Sequence, residues 1–527
     1  MTANTKKLQM KQPKFISGPP GTGKTSKFIT SKYLELLDSF TYDKIIILSH
    51  TNVAADEIRD EILKLPKVKE KGITKKSLKY KICTIHSYCR SKLTKKEVIN
   101  YQDHINLSVL NTLFKRQSVK EGEFDNDKHK FYRYLSDANG KGKTLIEHWK
   151  SCDKLSYKPY DINTIIEMKK TYDQYKKDHQ VCDYGDMIEE FTDKAVEPDI
   201  DALIVDEAQD SNVPQRQALN KMATKAKEYY FVGDADQTIF EFAGSDANYY
   251  HLLSKDAEQL EQGYRCGETI NNICKKIIKP IWDYYGYERI WKSTDIKGNH
   301  YYLPSLKDNC TALEVLLNKI QNTKETFLFT YRGNPTDVDI KKFFKQHGIE
   351  FAHVGNTAHV AKKEIKCHKF WPDFVAGKPM SLKQIKDFWN YMGSKVIMHG
   401  RGDSKCFDEW VNKDYTIDYL IDQKYLKADS IQYTDFALTR TQTDPDRILY
   451  IKKILSKDFD TEGDVRVKYG NIHTVKGLTF DNVIVDLTRT RKEEYFTQLR
   501  LKYVAYSRGR VDCWTITSKG PFTLGVK

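Results

Sequence analysis

The run Gly18-Pro19-Pro20-Gly21-Thr22-Gly23-Lys24-Thr25, continued by Ser26, has the residue types and spacing of a phosphate-cradling loop. Glycines free backbone N–H groups to wrap phosphate oxygens. The Lys24 ammonium can meet the β- and γ-phosphates, and Thr25 offers its hydroxyl to Mg²⁺. The run Leu203-Ile204-Val205-Asp206-Glu207 is the natural complement. A buried strand there would deliver two carboxylates at its C-terminal end, Asp206 to hold Mg²⁺ and Glu207 to polarise an attacking water. The chemistry indicated is hydrolysis of a nucleoside triphosphate, with ATP and Mg²⁺ as the expected ligands.

Such side chains need rigid elements to place them. Phe15-Ile16-Ser17 is a short apolar run entering the glycine-rich turn, and Phe28, Ile29, Tyr33, Leu36 and Leu37 then fall on one helical face. Lys44-Ile45-Ile46-Ile47-Leu48, Leu203-Ile204-Val205 and Tyr229-Tyr230-Phe231-Val232 read as strands buried on both faces. Strands of that kind alternating with helices predict a parallel sheet covered on both sides. A second set resembles the first: Thr326 to Thr330, a helix through Phe343-Phe344, Asn482 to Val485 and Cys513 to Ile516. The predicted class is α/β, with two parallel-sheet cores, each carrying a mainly helical insertion. The expected order is a first core over 1–90, an insertion over 91–180 and the first core resumed over 181–265. A second core follows over 266–355, then an insertion over 356–463 and the second core resumed over 464–527.

Composition narrows the setting. The chain has 527 residues, 39% hydrophobic and 30% charged, which fits several folded domains rather than a disordered polymer. No apolar stretch is long enough to span a bilayer, and the polar, Lys-containing start from Met1 to Lys14 does not read as a secretory signal. A cytoplasm is expected, that of a host if the source is viral; abundant Lys, Asn, Ile and Tyr fit an AT-rich genome. The ten cysteines include no C-x-x-C pair, and Cys83, His86 and Cys89 have no fourth ligand nearby, so neither a disulfide framework nor a metal cluster is expected. Net charge is +14, and from Lys64 to Lys120 fifteen Lys/Arg face three Asp/Glu. That concentration suits a polyanionic partner.

The carboxylate strand is more specific than its two acids. Asp206-Glu207-Ala208-Gln209-Asp210 resembles the D-E-x-Q-D box of superfamily 1 helicases, and further boxes follow the family order. Thr84-Ile85-His86-Ser87-Tyr88 resembles T-x-H-S-F, and Gly233-Asp234-Ala235-Asp236-Gln237-Thr238-Ile239-Phe240 resembles G-D-x-D-Q-S-I-Y. Gly263-Tyr264-Arg265 is similar to N-Y-R, His473-Thr474-Val475-Lys476-Gly477-Leu478 to H-x-x-K-G-L, and Tyr503-Val504-Ala505-Tyr506-Ser507-Arg508 to Y-V-A-x-T-R. The set looks like the UvrD/Rep/PcrA branch.

The resemblance implies two RecA-like cores that sandwich ATP and drive a 3′-to-5′ motor on single-stranded DNA and at single-strand/duplex junctions. It implies catalytic roles for Lys24, Asp206, Glu207, Gln237, Arg265 and Arg508, the last as an arginine finger. Tyr264 would stack on adenine. His86, Arg332 and His473 match positions that touch DNA in the family, and Phe240 and Phe242 would stack on its bases; Thr51 and Asn52, which follow a strand and open a helix, make a ready phosphate site for the same DNA. Gln9 and Gln12 stand nearest the place of the family's adenine-reading glutamine, and Gln12 joins the nucleotide set. The chain departs from the family at Thr479, where K-G-L-E has a glutamate, at Ala243, where an arginine is common, and in a shorter second insertion. Other readings are a translocase that strips proteins with little unwinding, a 5′-to-3′ or RNA-directed relative, and an ATP-switched binding module.

Overall fold

The computed structural model describes residues 12–93, 97–98, 124–151, 162–308, 310–332, 335–356, 358–398, 407–408, 410–440, 444–457, 463–488 and 494–517. Two parallel six-stranded sheets organise it, each the centre of a RecA-like α/β core. The first contains β1 (Lys14–Ser17), β2 (Ile45–Ser49), β3 (Ile82–Thr84), β4 (Ala202–Val205), β5 (Glu228–Gly233) and β6 (Glu258–Gln259), in the order β3-β2-β4-β5-β1-β6. The second contains β7 (His300–Leu303), β8 (Phe327–Tyr331), β9 (Phe351–His353), β10 (Val467–Asn471), β11 (Phe480–Asp486) and β12 (Gly509–Ile516), in the order β9-β10-β8-β11-β12-β7.

Alternation explains why the strands read as unbroken apolar runs. In β2, Ile45 and Ile47 join one cluster with Ile29, Tyr33, Ile58, Ile204 and Val232. Ile46 and Leu48 join another, with Leu203, Val205, Phe231 and Phe191 on the opposite face. Successive side chains point to opposite faces, so a sheet covered on both sides makes every position apolar. Helix Thr30–Ser39 buries Tyr33, Leu36 and Leu37 of the expected stripe. In the second core, Phe327, Phe329, Tyr331, Ile484, Trp514 and Ile516 share one cluster.

Helices and an aromatic cluster lie between the strands of each core. In the first, helices Phe124–Gly140, Leu145–Ser151 and Ile162–Asp178 gather around Phe131, Tyr134, Ile165 and Tyr172. In the second, residues 367–436 form an aromatic core of their own around Trp371, Trp389, Phe407 and Phe436. Helix Pro445–Leu455 lies inside the predicted insertion, yet its Tyr450, Ile451 and Ile454 pack into the second sheet's cluster. Chain order also misplaces two helices. Residues 266–296 and Glu493–Ser507 were expected in the second core and fold with the first compact unit; the second unit comprises Lys297–Lys492 and Arg508–Lys527. The cause is local packing: helix Tyr495–Tyr506 lies against helix Glu268–Tyr285, and Arg500 and Tyr503 reach groups beside β5. Among the described residues, no helix is long and apolar enough to cross a membrane.

Buried imidazoles make this fold acid-sensitive. Burial holds His148, His300 and His368 down to about 4 and His251 down to about 3, against an ordinary 6.5. Their neutral forms favour the folded state. That contribution is complete above pH 6.5 and is lost as pH falls through the folded values. Urea midpoints should therefore fall from pH 6.5 to 4.5, before most carboxylates titrate. Replacing His300 and His368 with Gln should flatten the pH dependence of the second unit, and an unchanged slope would contradict this account.

Candidate active site

Because every strand of the first sheet runs the same way, every loop that leaves a strand end opens on one edge. The chain leaving β1, β2, β4 and β5 carries Gly18–Thr25, Thr51-Asn52, Asp206-Glu207 and Asp234–Gln237, and His86 lies in the first turn of helix Ile85–Ser91, which follows β3 directly. Ligands of open α/β sheets bind at that carboxyl edge.

The glycine loop is held from both sides. The Gly18 N–H donates to Gly233 O at 3.0 Å, and the Tyr264 N–H donates to Gly21 O at 2.8 Å. Gly21 and Gly23 take φ of 75° and 77°, a region that disfavours side chains. A Cβ on Gly21 would lie 2.3 Å from the Arg265 Cβ. The loop therefore stays a bare cradle lined by backbone, with Pro19, Pro20 and Thr22 buried in its turns and Ser26 exposed. Lys24 is buried and its Nζ donates to Gly18 O at 2.8 Å and Pro19 O at 3.3 Å. Burial pulls this ammonium below its ordinary range, opposed by the Glu207, Asp234 and Asp206 carboxylates.

Thr25 Oγ1 donates to Asp206 Oδ2 at 3.0 Å. Asp206 Oδ1 is buried with no hydrogen-bond partner among the described residues, and burial plus neighbouring Glu207 push its carboxyl up to about 7. A hydroxyl and a half-satisfied buried carboxylate are the oxygen donors that a hard cation takes beside phosphates, so the residues fit Mg²⁺. Glu207 sits in the left-handed region with φ of 50°, which costs strain for a residue with a Cβ. Gln209 holds it there. Its amide N–H donates to Glu207 Oε2, and its carbonyl accepts the Asp234 N–H at 3.1 Å.

The predicted residues thus divide. The first unit brings together the glycine loop, Lys24, Thr25, Asp206, Glu207, Tyr264 and Arg265, with Gln237 bonded to Asp234 at 2.8 Å. Gln12 is exposed and lies two residues before β1. Gln9 lies outside the described residues. In the second unit, Arg508 is buried and its NH1 donates to Leu478 O at 3.3 Å, while Arg332 NH1 and His473 Nδ1 are 3.1 Å apart.

The expected nucleic-acid residues of the first unit share the carboxyl edge. Thr51 caps helix Asn52–Lys64, its Oγ1 accepting the Ala54 N–H at 3.2 Å, and both Thr51 and Asn52 are exposed. Phe242 is 47% exposed and meets half-buried Phe240 edge-on at 5.9 Å, so Phe242 is not core. The turn that carries it meets the helical insertion backbone to backbone: a Cβ on Gly244 would lie 2.1 Å from Gly140 C and O. The basic stretch behaves differently. Helix Asn52–Lys64 carries the chain about 20 Å away from that edge. The segment from Lys64 to Lys81, pinned by buried Val68, Ile73 and Leu78, then enters β3 from its amino end. Lys64, Lys67 and Lys75 there pair with Glu61, Asp38 and Asp60, whereas Lys69, Lys71, Lys76 and Lys79 are exposed. Residues 94–96 and 99–120 of the basic stretch lie outside the described residues.

Three side chains escaped the sequence reading. Gln209 stood inside a recognised box without a role. Lys27 places its ammonium 3.2 Å from the Tyr264 ring centre, a cation–π contact on the ring expected to stack on adenine. Tyr184 is exposed and lies edge-on to His86 at 5.3 Å. Its signal was the capping box that Asp183 forms with Asp186 at the start of helix Tyr184–Lys194.

Comparison with known proteins agrees with this geometry. Residues 2–258 match the UvrD/REP helicase N-terminal domain. The ATP-dependent DNA helicase Rep of Buchnera aphidicola subsp. Baizongia pistaciae is 24% identical over 402 residues, which is 68% of this chain and 56% of that protein. Rep of Escherichia coli K12 is 24% identical over 399 residues, with the same shares. The ATP-dependent DNA helicase PcrA of Staphylococcus aureus is 22% identical over 387 residues, 67% of this chain and 50% of that protein. The chain spans about half the length of these relatives.

The cradle gives a direct test. Gly21→Ala puts a methyl group into Arg265 at a φ that already disfavours it, so nucleotide affinity should fall by at least about tenfold while the melting temperature changes little. Fluorescent-nucleotide titration beside a thermal melt measures both, and unchanged affinity would show that the close approach of loop and Arg265 does not matter.

Proposed function

Because the chain is UvrD/Rep/PcrA-like, of superfamily 1, we propose that it is an ATP-driven motor on single-stranded DNA that moves 3′ to 5′ and separates strands at junctions. The observation that carries this reading is a shared edge. The strand ends that gather Lys24, Thr25, Asp206 and Glu207 also present Phe242, exposed and five residues after Gln237.

In this reading Lys24 exchanges its carbonyl partners for the β- and γ-phosphates of ATP, and Tyr264 stacks on the adenine. Thr25 and Asp206 hold Mg²⁺, which when bound neutralises phosphate charge and supplies Lewis acidity. Glu207, kept in place by Gln209, orients a water and accepts its proton as the water attacks the γ-phosphorus and ADP leaves. Gln237 and Arg265 meet the γ-phosphate, and Arg508 is the arginine finger. Phosphoryl transfer needs such charge stabilisation more than covalent help. Thr51 and Asn52, at a helix N-terminus, and His86 meet the DNA backbone in the first unit, as Arg332 and His473 do in the second. Phe240 and Phe242 stack on bases, a contact worth roughly 1–3 kcal/mol each and indifferent to sequence.

The test uses paired duplexes with only a 3′ or only a 5′ single-stranded tail, beside ATPase measurements on Phe242→Ala. Unwinding should need the 3′ tail. Phe242→Ala should keep the melting temperature and basal hydrolysis, because the ring is exposed and touches no phosphate group, yet lose several-fold in DNA stimulation. Unwinding from the 5′ tail would reverse the polarity. Displacement of a bound protein without unwinding would favour the stripping translocase. Full DNA stimulation in Phe242→Ala would remove base stacking from the account.

A further inference from the structure

Asp234 is the meeting point of three segments of the first unit. Its Oδ1 accepts from Arg289 NH1 at 2.6 Å and from the Asp236 N–H at 3.1 Å. Its Oδ2 accepts from the Gln237 amide at 2.8 Å and from the Tyr503 hydroxyl at 3.2 Å. Arg289 NH1 also donates to Asp236 Oδ2 at 2.7 Å, and the Trp282 indole N–H donates to the same oxygen at 2.8 Å. The guanidinium and both carboxylates are buried. Although burial raises it, Arg289 and Lys24 hold the Asp234 carboxyl below its ordinary range, so it stays an anion that accepts from every side.

Each segment leads to a group that the proposed function assigns to the γ-phosphate. Gln237 belongs to the first. The segment holding Arg289 pairs with the chain just before Tyr264 and Arg265: the Gly263 N–H donates to Lys292 O at 2.9 Å and the Lys292 N–H donates to Glu261 O at 2.8 Å. Tyr503 lies in the last turn of helix Tyr495–Tyr506, from which the chain passes through Ser507 to Arg508. The Arg500 Nε–H, donating to Thr238 O at 2.9 Å, ties the same helix to the turn after Gln237. An apolar filling would stabilise this spot as well as a buried Asp–Arg–Asp cluster or better, so the cluster argues for a set geometry rather than for stability.

We propose that Arg289 and Tyr503 are positioning residues for ATP hydrolysis: acting through Asp234, they register Gln237 and the helix that leads to Arg508 on a single carboxylate. This rests on the reading of Gln237 and Arg508 as γ-phosphate groups. When Gln237 turns towards phosphate it gives up Asp234 Oδ2, and the Tyr503 hydroxyl keeps that oxygen. The state of one phosphate-facing group is thereby felt by the helix that places the other.

The test is a double-mutant cycle in the full chain, with Tyr503→Phe, Gln237→Ala and the pair, read as kcat and KM for ATP in saturating single-stranded DNA beside melting temperatures. Tyr503→Phe deletes one hydroxyl and keeps the ring. It should lower kcat by about tenfold with KM and melting temperature near wild type. The double variant should lose clearly less than the product of the two single losses, because both changes act at one oxygen. Arg289→Lys, which keeps a cation but cannot bridge both carboxylates in the same geometry, should show the same loss confined to kcat. Wild-type kcat in Tyr503→Phe, a loss that multiplies with that of Gln237→Ala, or a loss that tracks a fall in melting temperature would overturn the proposal while leaving the functional reading standing. A wild-type protein with no DNA-dependent hydrolysis would remove both.

Discussion

A buried ammonium facing three carboxylates is the constraint on which the first unit's functional edge depends. Lys24 is buried in its loop, where burial weakens its charged form and Glu207, Asp234 and Asp206 restore it. The balance is uneven: Asp234 also has Arg289, whereas Asp206 keeps an unpartnered oxygen and a carboxyl pushed up to about 7. A buried site in which one carboxylate oxygen of Asp206 has no partner and the Lys24 ammonium is held only by carbonyls is incomplete by itself. A cation beside Asp206 and an anion beside Lys24 would complete it together, which is the charge pattern of a metal–nucleotide pair.

The rest of the unit keeps that cluster in register. Parallel strands send every functional loop to one edge. The bond from the Tyr264 N–H to Gly21 O and the Gly21–Arg265 approach join the cradle to the segment after β6. Gln209 ties the strained Glu207 to Asp234, and Asp234 gathers Gln237, Arg289 and Tyr503. Gln237, which we propose meets the γ-phosphate, and Phe242, which we propose stacks on bases, thus lie on one short run of chain.

Legibility followed chemistry and patterning. The loop from Gly18 to Thr25 and the acids after β4 were readable because each residue type has a stated job. Strands β2, β4, β5 and β8 were readable because both faces are apolar. β10, Val467–Asn471, was missed because a lysine and a glycine break its run, and β3, Ile82–Thr84, because it is short. Arg289 was invisible because a buried arginine in Tyr287-Glu288-Arg289-Ile290 looks like surface charge until its two carboxylates are placed. Helix Tyr495–Tyr506 was put in the wrong core because chain order says nothing about which neighbour a helix packs on. The basic excess was legible as charge, but not the fact that its described lysines from Lys64 to Lys81 lie before β3, at the other end of the sheet.

The most direct measurement is nucleotide affinity with and without Mg²⁺, for the wild-type chain and for Asp206→Asn. If Asp206 completes the charge balance through a cation, Mg²⁺ should tighten nucleotide binding by the wild type. In Asp206→Asn most of that gain should vanish, while metal-free affinity should hold or rise because a negative charge near the phosphates is gone. A full Mg²⁺-dependent gain in Asp206→Asn would contradict the account.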